Sequence, residues 1–179
     1  SNNERYPLPE IPIPNARSGI PAIAAILPDT RHGALPLHYA VMQGVSKDVV
    51  KVLINEYPAS LAYGDRKRRT ALAWYLGAGH LLDNNKRHIC GEANDPSATP
   101  WWYVKLSPTL IQLLISSKVA RVVDDIGRTP LHWACHFYSR SAIALNSSSL
   151  PVKAFQILLD NNIEAVTTKD SEGKTPLHV

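Results

Sequence analysis

The residues best placed to do chemistry are few. His132, Cys135 and His136 stand at i, i+3 and i+4, a spacing that puts three potential metal ligands on one face of a helix. A closed tetrahedral site needs a fourth donor; none is evident nearby, and His88 and Cys90 belong to a separate stretch of chain. His132 also has two counterparts, His38 and His178, each the last residue of the same four-residue segment. Recurrence argues for a hydrogen-bonding duty in the frame, since an active site is normally built once. No metal, cofactor or catalytic set is therefore expected. The second feature is Arg66-Lys67-Arg68-Arg69, four consecutive cations. They form either a solvated charge run or a docking point, whose field reaches about 8–10 Å in physiological salt and steers an acidic segment. The chain contains no Gly-x-x-x-x-Gly-Lys or Gly-x-Gly-x-x-Gly phosphate loop, no Gly-x-Ser-x-Gly elbow and no His-Glu-x-x-His zinc helix.

These residues sit in a recurring frame. Leu35-Pro36-Leu37-His38, Thr70-Ala71-Leu72-Ala73, Thr129-Pro130-Leu131-His132 and Thr175-Pro176-Leu177-His178 align, and their first residues lie 35, 59 and 46 positions apart. Thr can cap free N–H groups, and Pro at the first helical position gives up a donor that had no partner, so each segment predicts a helix start. Second helices are predicted over three gapless blocks, Val49–Ile54, Leu110–Ile115 and Ala154–Leu159, each with one polar residue at its third place. Ser46 and Ser107 stand at the same offset before the first two blocks, as N-caps, and Pro108 follows Ser107. Tyr57-Pro58 stops the first block; Asn161-Asn162 ends the last, Asn being tolerant of left-handed backbone. Asp65, Asp124 or Asp170 then opens a short polar loop into the next unit.

A period in the low thirties leaves about two dozen extra residues in the second unit and about one dozen in the third. Both are placed between the two helices of a unit, at 81–106 and 139–150, because helix faces are committed to stacking. In the first, Asp83–Arg87 reads as a solvated loop, and Thr99-Pro100 ahead of Trp101-Trp102-Tyr103 reads as a capped helical turn, either folded back on the stack or an exposed anchor. The second, with Asn146–Ser149, reads as a flexible loop.

The Thr-Pro-Leu-His-x-Ala signature, the Asp-x-x-Gly-x before it and the paired apolar helices resemble the ankyrin repeat, over about Thr30 to Val179. The resemblance implies an all-α fold, a solenoid of helix-loop-helix units with short hairpin fingers. It divides the chain into a Pro-rich N-terminal segment (1–18) and a repeat domain (19–179). The domain comprises a degenerate N-cap (19–29), repeats at 30–64, 65–123 and 124–169, and a truncated repeat at 170–179. Gly44 and Gly79-His80 fall where the family places glycine, or glycine and histidine, after the first helix. Departures are informative: unit two loses the motif Pro and His, Arg68 stands where the loop Gly belongs, and Tyr138 replaces the Gly after the third unit's first helix. If that loop keeps φ > 0, Arg68 costs about 1 kcal/mol. The chain's start at Ser1 and its last unit, one residue past His178, read as an excised fragment of a longer protein.

The resemblance also implies a non-catalytic scaffold that binds a partner polypeptide on a concave face of finger tips and first helices. Its candidate contacts are Arg31, His32, Met42, Gln43, Arg66, Lys67, Arg68, Arg69, Asp125, Ile126, Arg128, His136 and Phe137, with the basic finger favouring an acidic segment. Tyr39, Trp74 and Trp133 are expected to pack between units. The alternatives are nucleic-acid binding through the basic finger, for which the charge is very localised, and the interaction domain of a larger enzyme.

Composition fits this frame. The 179 residues are 45% hydrophobic and 19% charged, an ordinary balance for one domain. The net charge of +4 arises within the first 90 residues, where 11 Lys/Arg face 7 Asp/Glu. No apolar run approaches bilayer length, so no membrane insertion is expected, and Ser1–Glu4 lacks signal-peptide character. Cys90 and Cys135 read as reduced thiols of an intracellular protein. Tyr6–Pro14, with prolines at positions 7, 9, 12 and 14, favours extended polyproline geometry.

Overall fold

The computed structural model describes residues 25–81, 106–145 and 152–179. The Pro-rich segment, most of the N-cap, Asp83–Arg87, Trp101-Trp102-Tyr103 and Asn146–Ser149 lie outside the described residues. Among the described residues the helices are α1 (Pro36–Met42), α2 (Lys47–Glu56), α3 (Ala71–Tyr75), α4 (Pro108–Leu114), α5 (Pro130–Leu145) and α6 (Val152–Asn161). Tighter 3-10 turns follow at Pro58–Leu61, Ala78–Leu81, Val119–Arg121, Ile163–Val166 and Pro176–His178. An isolated antiparallel bridge, Gly64 to Thr70, closes the base of the second finger.

Helix starts follow the motif, with one correction. Pro36 and Pro108 take first-turn positions, where a missing N–H costs nothing. The expected Thr cap forms only in unit two, where Thr70 Oγ1 accepts from the Ala73 N–H at 3.3 Å. In unit three the Thr129 hydroxyl meets His132 Nδ1 at 2.9 Å instead, and Thr175 meets His178 Nδ1 at 2.7 Å. The motif His competes for the hydroxyl; unit two has Ala73 there, so its Thr is free to cap. Ser46 and Ser107 do stand at N-cap positions, but neither side chain caps; Ser107 Oγ pairs with Thr109 Oγ1 at 2.8 Å.

Each first helix packs on the second helix of its own unit: α1 on α2, α3 on α4, α5 on α6. The first helices also stack on one another, α1 against α3, α3 against α5, and α5 against the turn at Pro176–His178, while α4 lies on α6. This is an all-α ankyrin-type solenoid. The stacking buries one continuous apolar cluster, in which Leu37, Val41, Leu72, Trp74, Leu76, Ile111 and Leu114 are lost to solvent. A smaller cluster of Ile26, Leu35, Tyr57 and Tyr63 closes the N-terminal side.

Two local expectations are corrected. The stretch beginning at residue 139 is not all loop: α5 runs unbroken to Leu145, so about half of the extra length in unit three prolongs its first helix. Asn162 is extended (φ −158), not left-handed; its side-chain amide instead donates to the Ala120 carbonyl at 3.0 Å, tying unit three to unit two.

Candidate partner-binding surface

Every finger is folded by the aspartate that opens it. Asp65 Oδ1 accepts from the N–H groups of Lys67 and Arg69, both at 2.9 Å. Asp124 Oδ1 accepts from Ile126 (3.1 Å) and Arg128 (2.8 Å), and Asp170 Oδ1 from Glu172 (3.0 Å) and Lys174 (2.9 Å). Asp29 does the same for Arg31, His32 and Ala34 in the first finger. Short side-chain acceptors of this kind hold the turn where the backbone has no ladder of its own. The second carboxylate oxygen takes an aromatic donor from the unit's first helix: Tyr39 Oη to Asp29 (3.2 Å), Trp74 Nε1 to Asp65 (2.9 Å) and Trp133 Nε1 to Asp124 (2.9 Å). These aromatics were expected only to pack. Tyr39 and Trp74 do stack edge-to-face across units, with centroids 5.2 Å apart. Their polar ends, in addition, lock each finger to its helix. The sequence signal was an Asp nine or ten residues ahead of a Tyr or Trp in three units.

The fingers are joined to one another through backbone. The Arg66 N–H donates to the His32 carbonyl (2.9 Å), Asp125 N–H to Lys67 (3.0 Å), and Ser171 N–H to Ile126 (2.9 Å). Each bond links the residue after the opening Asp to the next position of the preceding finger. The register therefore runs unbroken through all four fingers.

The motif histidines complete the frame. His38 Nδ1 accepts from the Leu35 N–H and Nε2 donates to the Arg69 carbonyl of the next finger, each at 3.2 Å. His132 accepts from the Thr129 N–H (3.1 Å) and donates to the Lys174 carbonyl (3.2 Å). An amide N–H can only donate and a carbonyl only accept, so both rings must be neutral with the proton on Nε2. Burial pushes His38 down to about 4 and lowers His132 as well. Both ring nitrogens of His132 are committed, which leaves none for a metal.

The carboxylates respond to their surroundings individually. Burial pushes Asp29 up, but the N–H groups of His32, Ala34 and Arg31 and the Tyr39 hydroxyl outweigh it and hold the group below its usual value. Among the described residues no cation is bonded to Asp124, and burial raises its carboxyl. Asp65 instead faces Arg69, whose Nη2 lies 2.7 Å away and whose Nε donates at 2.9 Å.

Of the candidate contacts, Arg31, Gln43, Arg66, Lys67, Arg68, Asp125 and Ile126 are exposed, and His32, Arg128, His136 and Phe137 are half-buried. Two belong to the interior. Arg69 is only 4% exposed; besides Asp65 it bonds the Ala78 carbonyl at 3.1 Å and lies over the Trp74 ring. It is a buried structural cation, not a tip residue. Met42 is 8% exposed and packs against Gly79, where an added Cβ would meet its sulfur at 2.9 Å. Two others are partly engaged: Arg128 pairs with Asp170 at 3.2 Å, and the Phe137 ring lies against Gly77, where a Cβ would meet it at 2.9 Å.

The exposed remainder of the second finger is Arg66, Lys67 and Arg68, beside Arg31 on the first. Arg66 Nη1 donates to the Arg31 carbonyl at 3.3 Å. Arg68 has φ 59, the left-handed region, whereas the matching residues of the other fingers, Gly33, Gly127 and Gly173, have φ 67, 77 and 77. A side chain there costs about 1 kcal/mol relative to glycine.

Residues 32–66, one full period from the first finger into the second, match the ankyrin repeat family model. No curated protein matches the chain. Ankyrin repeats are non-enzymatic motifs that bind other proteins, and no helix among the described residues is long and apolar enough to cross a membrane. With the matched period, the recurring motif and the stacked helix pairs in agreement, the chain is an ankyrin-repeat protein.

Proposed function

We propose that this chain is a non-catalytic docking module that binds an extended, acidic segment of another protein along its finger tips. The observation that carries the reading is the cluster of exposed cations on two adjoining fingers, Arg31, Arg66, Lys67 and Arg68, held side by side by the Arg66 to His32 backbone bond. Among the described residues the side chains of Lys67 and Arg68 make no hydrogen bond or ion pair, so an incoming carboxylate displaces only water. The third finger exposes Asp125, and the fourth pairs its exposed Glu172 with Lys174 at 2.6 Å, so the cation cluster lies at one end of the surface. Such a field sets orientation and association rate more than affinity, and fades beyond about 8–10 Å in physiological salt.

The test is fluorescence anisotropy with a labelled Glu-rich peptide of about eight residues, long enough to span two fingers at roughly 3.3 Å per residue. Arg66→Glu with Lys67→Glu is expected to weaken binding at least about tenfold, because like charges then face the ligand. Arg69 is left intact, since its loss would damage the fold. Unchanged binding overturns the reading. Equal or tighter binding of a duplex oligonucleotide with a steep salt slope would replace it with phosphate recognition.

A further inference from the structure

We infer that Arg68 is the specificity-determining contact of this basic finger, gripping a carboxylate of the acidic segment with its guanidinium; the inference rests on the docking reading above. Three observations converge on it. First, the other three fingers put glycine at this left-handed position, and only the second finger carries a side chain there. Second, the chain closes tightly on the backbone of this residue. The finger's glycine stands at Gly64 instead, where a Cβ would fall 2.9 Å from the Arg68 backbone, whereas the third and fourth fingers have Val123 and Lys169 at the matching place. Gly64 thus makes room for the left-handed backbone of Arg68, and strained residues of this kind cluster at functional positions. Third, Arg68 does nothing visible for the fold. It is exposed, and among the described residues its side chain has no hydrogen bond, ion pair or ring contact, while its neighbour Arg69 is fully engaged inside.

A stabilising residue would be glycine here. Keeping arginine makes sense where the guanidinium meets something outside the chain, and a planar five-donor fork matches a carboxylate in two-point contact. Lys67, at the adjacent tip, supplies attraction without that geometry.

Three substitutions separate conformation from charge. Arg68→Gly relieves the strain and removes the fork; Arg68→Asn tolerates the left-handed backbone without charge; Arg68→Lys keeps the charge but not the planar geometry. With the same Glu-rich peptide, Arg68→Gly is expected to raise Tm by about 2–4 °C and to weaken binding about tenfold. Arg68→Asn should weaken it as much, and Arg68→Lys should recover only part. Lys67→Gln serves as the reference for losing one charge, with an expected loss of about two- to threefold. The inference is overturned if Arg68→Gly binds within twofold of the parent, or loses no more than Lys67→Gln, while the double reversal at Arg66 and Lys67 still weakens binding at least about tenfold; the docking reading then stands without it. It is also overturned if Arg68→Gly lowers Tm, which would make Arg68 structural. If neither the double reversal nor any Arg68 variant alters peptide binding, the docking reading itself falls.

Discussion

Acid should loosen this stack well before it protonates ordinary carboxylates. His38 is fully buried and must stay neutral to accept from Leu35 and donate to Arg69. Burial holds it at about 4, whereas the unfolded chain takes up a proton near 6.5. The stabilisation is therefore complete above about pH 6.5 and is lost progressively as pH falls toward 4. At about pH 5 the unfolded histidine is almost fully protonated and the folded one almost not, which costs the folded state about 2 kcal/mol. That is a large part of a typical domain stability of about 5–15 kcal/mol. His132, lowered by burial, adds in the same direction. Asp124 works the other way, because burial raises its carboxyl and acid relieves that penalty. The assay is urea unfolding at about pH 7.5 and pH 5, followed by far-UV circular dichroism. His38→Gln should be less stable at neutral pH but should show a shallower fall on acidification. Equal midpoints for the parent at both pH values, or an undiminished slope in His38→Gln, would refute the reasoning.

Removing Asp65 should be the most damaging single change in the fingers: Asp65→Ala leaves the buried Arg69 guanidinium on one carbonyl and should cost about 3–5 kcal/mol, with Asp65→Ala/Arg69→Met recovering most of it in chemical denaturation. Tyr63 has a buried hydroxyl without a hydrogen-bond partner among the described residues, so Tyr63→Phe should leave the denaturation midpoint unchanged or raise stability by up to about 1 kcal/mol. Burial raises the Cys135 thiol, so native protein at neutral pH should alkylate slowly at this residue and rapidly once unfolded, as read by peptide mass spectrometry.

The stack, its register and the motif histidines were legible because each depends on a local pattern that repeats. The left-handed backbone at Arg68 was legible for the same reason: its counterparts are glycine. What escaped the sequence were distinctions between neighbours of one chemical type. Arg66 to Arg69 read as four equivalent cations, but the hairpin returns the chain toward Asp65 at the fourth, turning Arg69 inward while its predecessors face water. Met42 and Gln43 look alike as neighbouring positions at the end of α1, yet Met42 packs against Gly79 of the next unit while Gln43 is exposed. The reach of α5 escaped too, because a length difference counts extra residues without saying whether they coil or continue a helix. The aromatic donors to the finger aspartates were hidden by the apolar character that their packing demanded.

The main-chain links from His32 to Arg66, Lys67 to Asp125 and Ile126 to Ser171 act as a seam along one border of the molecule. A seam of this kind opens from its ends. Pulled by its termini, the chain should yield in steps, one repeat at a time, and an interior repeat should let go only after a neighbour has gone. Because the stitching uses main-chain groups alone, exchanging the tip side chains leaves it whole, so the surface can be re-addressed to a different ligand without retuning the mechanics beneath it.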